Sequence, residues 1–253
     1  MLTSDEIVDG YIGARERSGA FHSGPYVYPE DFDGTETLSF NASCPEGLSN
    51  ARNRLRIGRW REALPCMSAK HLVLAGPRLN QEIFDAATQV KGLEILVVYQ
   101  SNIESIDSIS NAPALVGTRL KSSKPISSYD PLDQLPSLRS LTLDNPKGLS
   151  NLDFMTSLHA IEDFSIFHSP DSWLIVDSLS PLQGLQQLQR IFLSGVKISK
   201  GSLRPLHGLP RLENVMLSHV FKASEFADLR ATTPALRQGS PFREDLIAEF
   251  CEG

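Results

Sequence analysis

The sequence predicts an α/β solenoid, in which short repeats stack so that each adds one strand to a single parallel sheet. The first observation is a nine-residue apolar template of the form LxxLxxLxL, which occurs seven times between Cys66 and Leu217. The second is its period: the second apolar position falls at residues 69, 93, 115, 138, 161, 188 and 212, at intervals of 22 to 27 residues. An eighth, broken copy places Leu236 another 24 residues on.

The last three residues of each template, LxL, predict a short strand whose two apolar side chains point to one side. One repeat has no partner for its apolar side, whereas stacked repeats bury it in a continuous core behind the sheet. We therefore expect a curved parallel sheet on the concave face and helical or 3₁₀ turns on the convex face. The predicted strands, in sequence order, are 72–74, 96–98, 118–120, 141–143, 164–166, 191–193 and 215–217.

The second repeat, LEILVVYQSNIESIDSI, continues beyond its strand with Ile103, Ile106 and Ile109. This pattern resembles the short leucine-rich-repeat class, with a period near 22, that is found in internalins and phosphatase-regulator-type proteins. The resemblance covers roughly residues 63–220. It implies that the three isoleucines lie on a convex 3₁₀ or short helical turn, and it is nearly silent on function.

The sequence departs from this family pattern at several positions. Thr118 replaces a core leucine in the third repeat, and the longest interval predicts a bulge or an added turn in residues 168–181. The family's asparagine at repeat position nine is also absent, which predicts irregular turns. Its place is taken by Pro77, Ser101, Ser123, Pro146, Ser169, Val196 and Val220.

Solenoids need ends that cover the exposed core, and we divide the chain accordingly into a cap at 1–62, repeats at 63–220 and a helical cap at 221–253. In the first cap, Thr3 and Glu6 form a capping-box pattern that begins a helix. The later segments Thr37–Phe40 and Arg54–Ile57 alternate like strands and are expected to close the edge of the first repeat.

Three further segments read as helices. Residues 80–90 place Ile83, Phe84, Ala87 and Val90 on one inward face. A short helix is predicted from Ser224 to Arg230. Another begins at Ser240 and Pro241, with Phe242, Leu246 and Phe250 on one face.

The composition favours a packed, soluble protein: 41% of residues are hydrophobic, 21% are charged and the net charge is −6. An acidic chain disfavours nucleic acid and anionic membranes and favours a partner with a basic surface. Three widely spaced cysteines without a CxxC pair are typical of a reducing compartment. With no signal-peptide pattern and no apolar run of about 18 residues, we expect a cytoplasmic protein that is a monomer when free.

No catalytic signature is present, since the sequence contains no GxxxxGK[ST], GxSxG, HExxH or GxGxxG motif. The six histidines lack metal-ligand spacing, so we expect no catalytic residue, no metal and no cofactor. His168 and His219 share repeat position eight, where a pH-sensitive rim is one interpretation and two solvated histidines the favoured one.

The sharpest charged feature is an arginine run at residues 52, 54, 56, 59 and 61, interleaved with Leu55, Ile57 and Trp60. One interpretation is a nucleic-acid or phosphate patch with an aromatic platform. The favoured interpretation is the solvent-exposed face of a capping strand, because period-two alternation is typical of a half-buried strand. Its expected acidic partners are Glu30, Asp31, Asp33 and Glu36.

The concave strand positions give the best functional signal, because a purely solvated sheet face would be mostly polar. The middle column reads Val73, Val97, Arg119, Thr142, Ser165, Phe192 and Met216. The following column reads Ala75, Tyr99, Lys121, Asp144, Phe167, Ser194 and Ser218. We expect Tyr99 to lie beside Lys121, Lys121 beside Asp144, and Asp144 beside Phe167. The predicted partner-binding residues are Val97, Tyr99, Arg119, Lys121, Asp144, Phe167, Phe192 and Met216, unless a cap or loop covers them.

These observations favour a non-catalytic protein-binding scaffold that grips a protein partner on its concave face. An inhibitor or immunity-type protein that neutralises an enzyme is an alternative within the same class. A divergent enzyme would need clustered acids and histidines on the concave face, where only Asp144 and Asp163 lie in adjacent repeats and His71 is distant. The arginine run leaves a nucleic-acid binder as the third hypothesis.

Overall fold

The computed structural model describes residues 26–169, 172–218 and 221–240. The helix predicted from Thr3, the helix predicted beyond Ser240, and His22 and His219 therefore lie outside the described residues.

The described repeats form one parallel sheet of nine strands in sequence order. Two further short strands form a separate two-stranded sheet. All seven predicted strands are confirmed, and each neighbouring pair is parallel. The nine strands are β1 (Thr37–Asn41), β2 (His71–Ala75), β3 (Ile95–Ser101), β4 (Gly117–Ser122), β5 (Ser140–Asp144), β6 (Asp163–Phe167), β8 (Arg190–Ser194), β10 (Asn214–Leu217) and β11 (Gln238–Ser240).

The template leucines pack behind this sheet in one continuous core. In β5, for example, Leu141 and Leu143 are completely buried, and Leu138 of the same template is buried before the strand begins. The convex side carries short 3₁₀ turns, as expected. They span Asp107–Asn111, Asp130–Gln134, Asp153–Ser157, Ser180–Leu182 and Arg204–Leu206. Ile103, Ile106 and Ile109 are buried beneath the first of them.

The substituted core position in the third repeat keeps its place in the stack. Thr118 is completely buried, and its Oγ1 donates a hydrogen bond to the carbonyl oxygen of Leu96 at 3.1 Å. The hydroxyl is thus satisfied by the preceding strand, which removes most of the penalty for a polar group in the core.

The N-terminal cap contains one predicted strand and one surprise. β1 pairs in parallel with β2 and closes the edge, as expected for Thr37–Phe40. The strand expected at Arg54–Ile57 is wrong, because these residues lie inside helix α1 (Asn50–Ala63). Ser49 caps this helix by accepting a hydrogen bond from the backbone N–H of Arg52.

Helix α1 turns an arginine towards the core. Arg56 is only 2% exposed, and it lies on the buried face of α1 with Asn53 and Trp60, at the spacing of a helix. Its guanidinium donates to the carbonyl oxygens of Val27, Asn41 and Ser43 at 3.2, 2.7 and 2.8 Å. Burial lowers the pKa of this guanidinium. Arg56 therefore fastens the cap, and it is not on the solvent-exposed face of a strand.

Helix α2 (Gln81–Ala87) agrees with the prediction for residues 80–90. Asn80 caps it, since its side-chain oxygen accepts a hydrogen bond from the N–H of Ile83 at 3.2 Å. Ile83, Phe84, Ala87 and Val90 are all buried, as expected.

In the longest repeat, a further strand precedes the convex 3₁₀ turn Ser180–Leu182. Strand β7 (Leu174–Val176) pairs in parallel with β9 (Val196–Ile198) of the next repeat, forming a two-stranded sheet beside the main one. Trp173 precedes β7 with 47% of its surface exposed, and Lys197 lies 4.6 Å from its ring centroid.

At the C-terminal end, helix α3 (Ala223–Thr232) confirms the predicted short helix, beginning one residue earlier and ending two residues later. The broken eighth repeat then adds β11, which pairs in parallel with β10. Phe226 and Leu229 of α3 are buried against the last repeats.

Candidate functional site

The candidate site is the concave face of the sheet, where the side chains of alternate strand residues form columns across successive repeats. The register places Ser165 beside Phe192 and Phe192 beside Met216 in the middle column. In the following column it places Lys121 beside Asp144 and Asp144 beside Phe167.

Arg119 on β4 is the centre of this surface. Its Nε donates to Oδ2 of Asp144 on β5 at 2.8 Å, and the two side chains are only 20% and 9% exposed. The guanidinium carbon also lies 5.2 Å from the ring centroid of Tyr99 and 5.9 Å from that of Phe167. A cation over an aromatic face is attracted by the ring quadrupole, so one arginine joins two rings and a carboxylate.

An aromatic pair extends the surface towards the C-terminal repeats. The rings of Phe167 and Phe192 lie 4.8 Å apart between centroids, inclined by 39°. Both residues and Met216 are partly buried, so each keeps some of its surface open to contact. The arrangement is a row of large apolar side chains along one side of the sheet.

A bulge interrupts the ladder where Tyr99 was predicted to neighbour Lys121. The register between β3 and β4 shifts after Val98 and resumes only at Ser101, leaving Tyr99 and Gln100 in the irregular stretch. Gln100 adopts a positive φ of 51°, which few residues other than glycine do. The guanidinium of Arg119 lies over the Tyr99 ring.

Val97 also differs from expectation, because it is completely buried although its strand position faces the concave side. It forms a second small apolar cluster with Ile95, against which Val73, Tyr99 and Val116 pack. Val97 thus supports Tyr99 from below and does not offer a surface of its own.

Sequence reasoning missed a third column at the start of the strands. Asp163 of β6 and Arg190 of β8 lie side by side in register, and the Arg190 guanidinium makes a two-pronged ion pair with that carboxylate. In the same column the Thr37 hydroxyl lies 3.1 Å from Nδ1 of His71. The signal was present in the sequence, because residues two positions before the middle column point to the same side.

The two acids singled out from the sequence lie at opposite ends of neighbouring strands. Asp144 is in register with Phe167 and Asp163 with Ser140, and each acid makes an ion pair with an arginine. Within the described residues, no group of three or more histidines, cysteines or acids is placed to hold a metal ion.

His168 lies at the end of β6 rather than on an open rim. Desolvation lowers the pKa of its imidazole, and its Nε2 is 3.2 Å from the Ser172 hydroxyl. Nδ1 is buried without a hydrogen-bond partner in the described part of the chain. A lowered pKa keeps the ring neutral at physiological pH.

The arginine run is divided by helix α1 into different roles. Arg56 is buried, Arg59 pairs with Glu30 as expected for that acid, and Arg61 pairs with Glu82 at 2.8 Å. The run therefore does not form one continuous basic stripe.

Comparison with solved structures identifies the architecture. An internalin (inlF) from Listeria monocytogenes is 23% identical with a TM-score of 0.53, over 71% of this chain and 48% of that chain. The fold is that of the leucine-rich-repeat proteins. This chain spans about half the length of that internalin. Internalin C2 of the same organism is 19% identical, with a TM-score of 0.49 over 67% of this chain and 80% of its own. A leucine-rich-repeat protein of Leptospira interrogans is 15% identical, with a TM-score of 0.46 over 85% and 64%.

No protein-family model and no curated protein sequence matches this leucine-rich-repeat chain. Among the helices in its described part, none is both long and apolar enough to cross a bilayer.

Proposed function

We propose that this leucine-rich-repeat chain is a non-catalytic scaffold that binds a protein partner on the concave face of its sheet. The observation that carries the proposal is the row formed by Tyr99, Arg119, Phe167 and Phe192, with Met216 beside it. Tyrosine, methionine and arginine are enriched where protein interfaces form, and aromatic residues dominate binding energies. Strand positions also hold these side chains more rigidly than loops would.

The rival functions have less support. An enzyme would need a polar group able to exchange a proton, whereas Asp144 and Asp163 are each held by an arginine. A nucleic-acid surface would need an open line of cations, whereas the ion pairs and the burial of Arg56 divide the arginine run.

The partner's character and the chain's free state belong to the same proposal. The expectation of a basic partner rests on the net charge of −6, because the sheet face itself carries two balanced ion pairs and Lys121. We expect the free chain to be a cytoplasmic monomer. The inhibitor or immunity-type role remains an alternative within protein binding, to be distinguished by the identity of the captured partner.

The test compares capture by the wild type with capture by Tyr99→Ala, Phe167→Ala and Phe192→Ala, using quantitative mass spectrometry and then titration of the recovered partner. A true anchor should weaken binding by about 30-fold or more when truncated. Trp173→Ala is the matched control, because it removes an exposed aromatic ring that lies outside the concave sheet. Normal binding by all three concave variants would contradict the proposal.

A further inference from the structure

A groove lies between helix α1 and the segment that joins β2 to α2, and none of its lining residues belongs to the sheet. Its volume is about 500 Å³, within the range of about 300–1,000 Å³ of small-molecule sites. Residues 54, 58 and 61 share one face of α1, since they are spaced by four and three along the helix. The lining consists of Arg54, Ile57, Gly58, Arg61, Arg78, Asn80, Glu82 and Ile83.

The groove carries positive charge that its own acids do not balance. Arg61 is matched by Glu82, whose carboxylate oxygen lies 2.8 Å from it. Of the carboxylates in the described residues, none lies within ion-pair distance of Arg54 or Arg78. Arg78 uses one nitrogen to donate to the side-chain oxygen of Asn50 at 2.8 Å. Within the described part of the chain, two guanidinium charges thus line this groove without an ion-pair partner, although the net charge of the protein is −6.

Gly58 lines this groove and has no side chain to project into it. A Cβ added at Gly58 would meet no atom within 4 Å, so this helix position opens directly into the groove. Ile57 is partly buried along the same lining and supplies its apolar contact, whereas Ile83 is completely buried. The groove therefore combines two cations, an opening and an apolar surface.

We propose that this groove binds a phosphate monoester whose substituent is apolar or aromatic. Guanidinium groups match phosphate oxygens with paired hydrogen bonds. A monoester carries about −1.5 to −2 charges at neutral pH, which complements Arg54 and Arg78, whereas a diester carries only one. The monoester comes either from a free metabolite or from a phosphorylated side chain of a protein. This site is separate from the concave face and does not depend on the function proposed there.

The experiment titrates phenyl phosphate into the full chain by isothermal calorimetry, with phenol as the uncharged counterpart. We expect saturable binding of phenyl phosphate and none of phenol. Arg54→Gln and Arg78→Gln should each weaken binding by about 10-fold or more, because each removes a charged hydrogen-bond donor. Gly58→Leu should abolish binding by filling the opening while keeping the helix. Arg59→Gln is the matched control, since it removes a guanidinium of the same helix that pairs with Glu30 outside the groove.

A phosphotyrosine peptide that binds more tightly than phenyl phosphate assigns the phosphate to a protein, and the reverse order assigns it to a small molecule. Three results overturn the proposal. The first is no saturable binding of phenyl phosphate in the millimolar range. The second is a loss of binding in Arg59→Gln equal to that in the groove variants. The third is tighter binding of a single-stranded oligonucleotide with a steep salt dependence, which would identify a polyanion surface instead. Circular dichroism of each variant verifies that the fold is retained.

Discussion

Replacing Arg56 by methionine should destabilise the N-terminal cap severely. Methionine keeps an unbranched apolar stem but lacks the guanidinium group, so it removes every donor. The backbone carbonyls of Asn41 and Ser43 would lose this partner, and the carbonyl of Val27 would keep only the indole N–H of Trp60. The side-chain oxygen of Asn53, which accepts from Nε of Arg56 at 2.9 Å, would also lose this partner.

The magnitude follows from these contacts. Each buried acceptor left without a partner costs about 1–3 kcal/mol, and burial of the methionine and relaxation of the loop offset part of the sum. We expect the free energy of unfolding to fall by about 3–5 kcal/mol, which is a large part of the 5–15 kcal/mol typical of a domain. The free energy of unfolding of Arg56→Lys should lie between those of the wild type and Arg56→Met, because lysine keeps the charge but lacks the planar guanidinium.

Urea denaturation followed by circular dichroism measures this loss. Tryptophan fluorescence adds a local reading, because Trp60 is buried beside Arg56 and donates its indole N–H to the carbonyl of Val27 at 3.1 Å. Arg54→Met is the matched control on the same helix, and its exposed position predicts a change within about 0.5 kcal/mol. A loss below about 1 kcal/mol in Arg56→Met would refute the reasoning that these hydrogen bonds hold the cap.

Three further outcomes are expected. Thr118→Val should lower the free energy of unfolding by about 1 kcal/mol, because it removes the hydrogen bond to Leu96; an unchanged urea midpoint would contradict this. Gly58→Ala should raise that free energy by about 0.5–1 kcal/mol, since alanine is the better helix former and its methyl group meets open space; a lower melting temperature would count against it. The imidazole pKa of His168 should lie below 6.5 by NMR titration. As the pH drops below 6.5, the imidazole of His168 therefore binds a proton in the unfolded chain before it does so in the folded chain, and the free energy of unfolding falls. His168→Gln should remove that pH dependence.

The strands were predictable because the LxL signal has a period of two and recurs with the repeat. The arginine run was misread because four residues of R-L-R-I fit a strand as well as a helix. Leu55 distinguishes the two in the structure. A half-buried strand would bury its side chain, whereas it is 71% exposed on α1. The longer surrounding pattern, with Asn53, Arg56 and Trp60 inward and Ser49 as cap, contained the helical signal.

The sequence predicts which side chains of the candidate site share a column on the concave face, but not which of them touch. Side-chain alternation places Arg119 and Phe167 on the concave face, yet only coordinates show that the arginine reaches across two strands towards Phe167. The bulge after Val98 has no sequence marker, since Gln100 is an ordinary residue in an unusual backbone conformation. Likewise, the long fifth interval signals extra residues, but not that they pair as β7 with β9.

Arg119 is held between Tyr99, Asp144 and Phe167, which lowers the side-chain entropy that a partner would remove on binding to that face. A free arginine side chain carries about 2 kcal/mol of rotamer entropy, which an interface normally removes on association. Here much of that freedom is already lost in the folded chain, because a carboxylate and two rings hold the guanidinium. A ligand that contacts this arginine therefore meets a group already in place. Asp144→Asn would return that freedom, so the aspartate could influence affinity without touching the ligand.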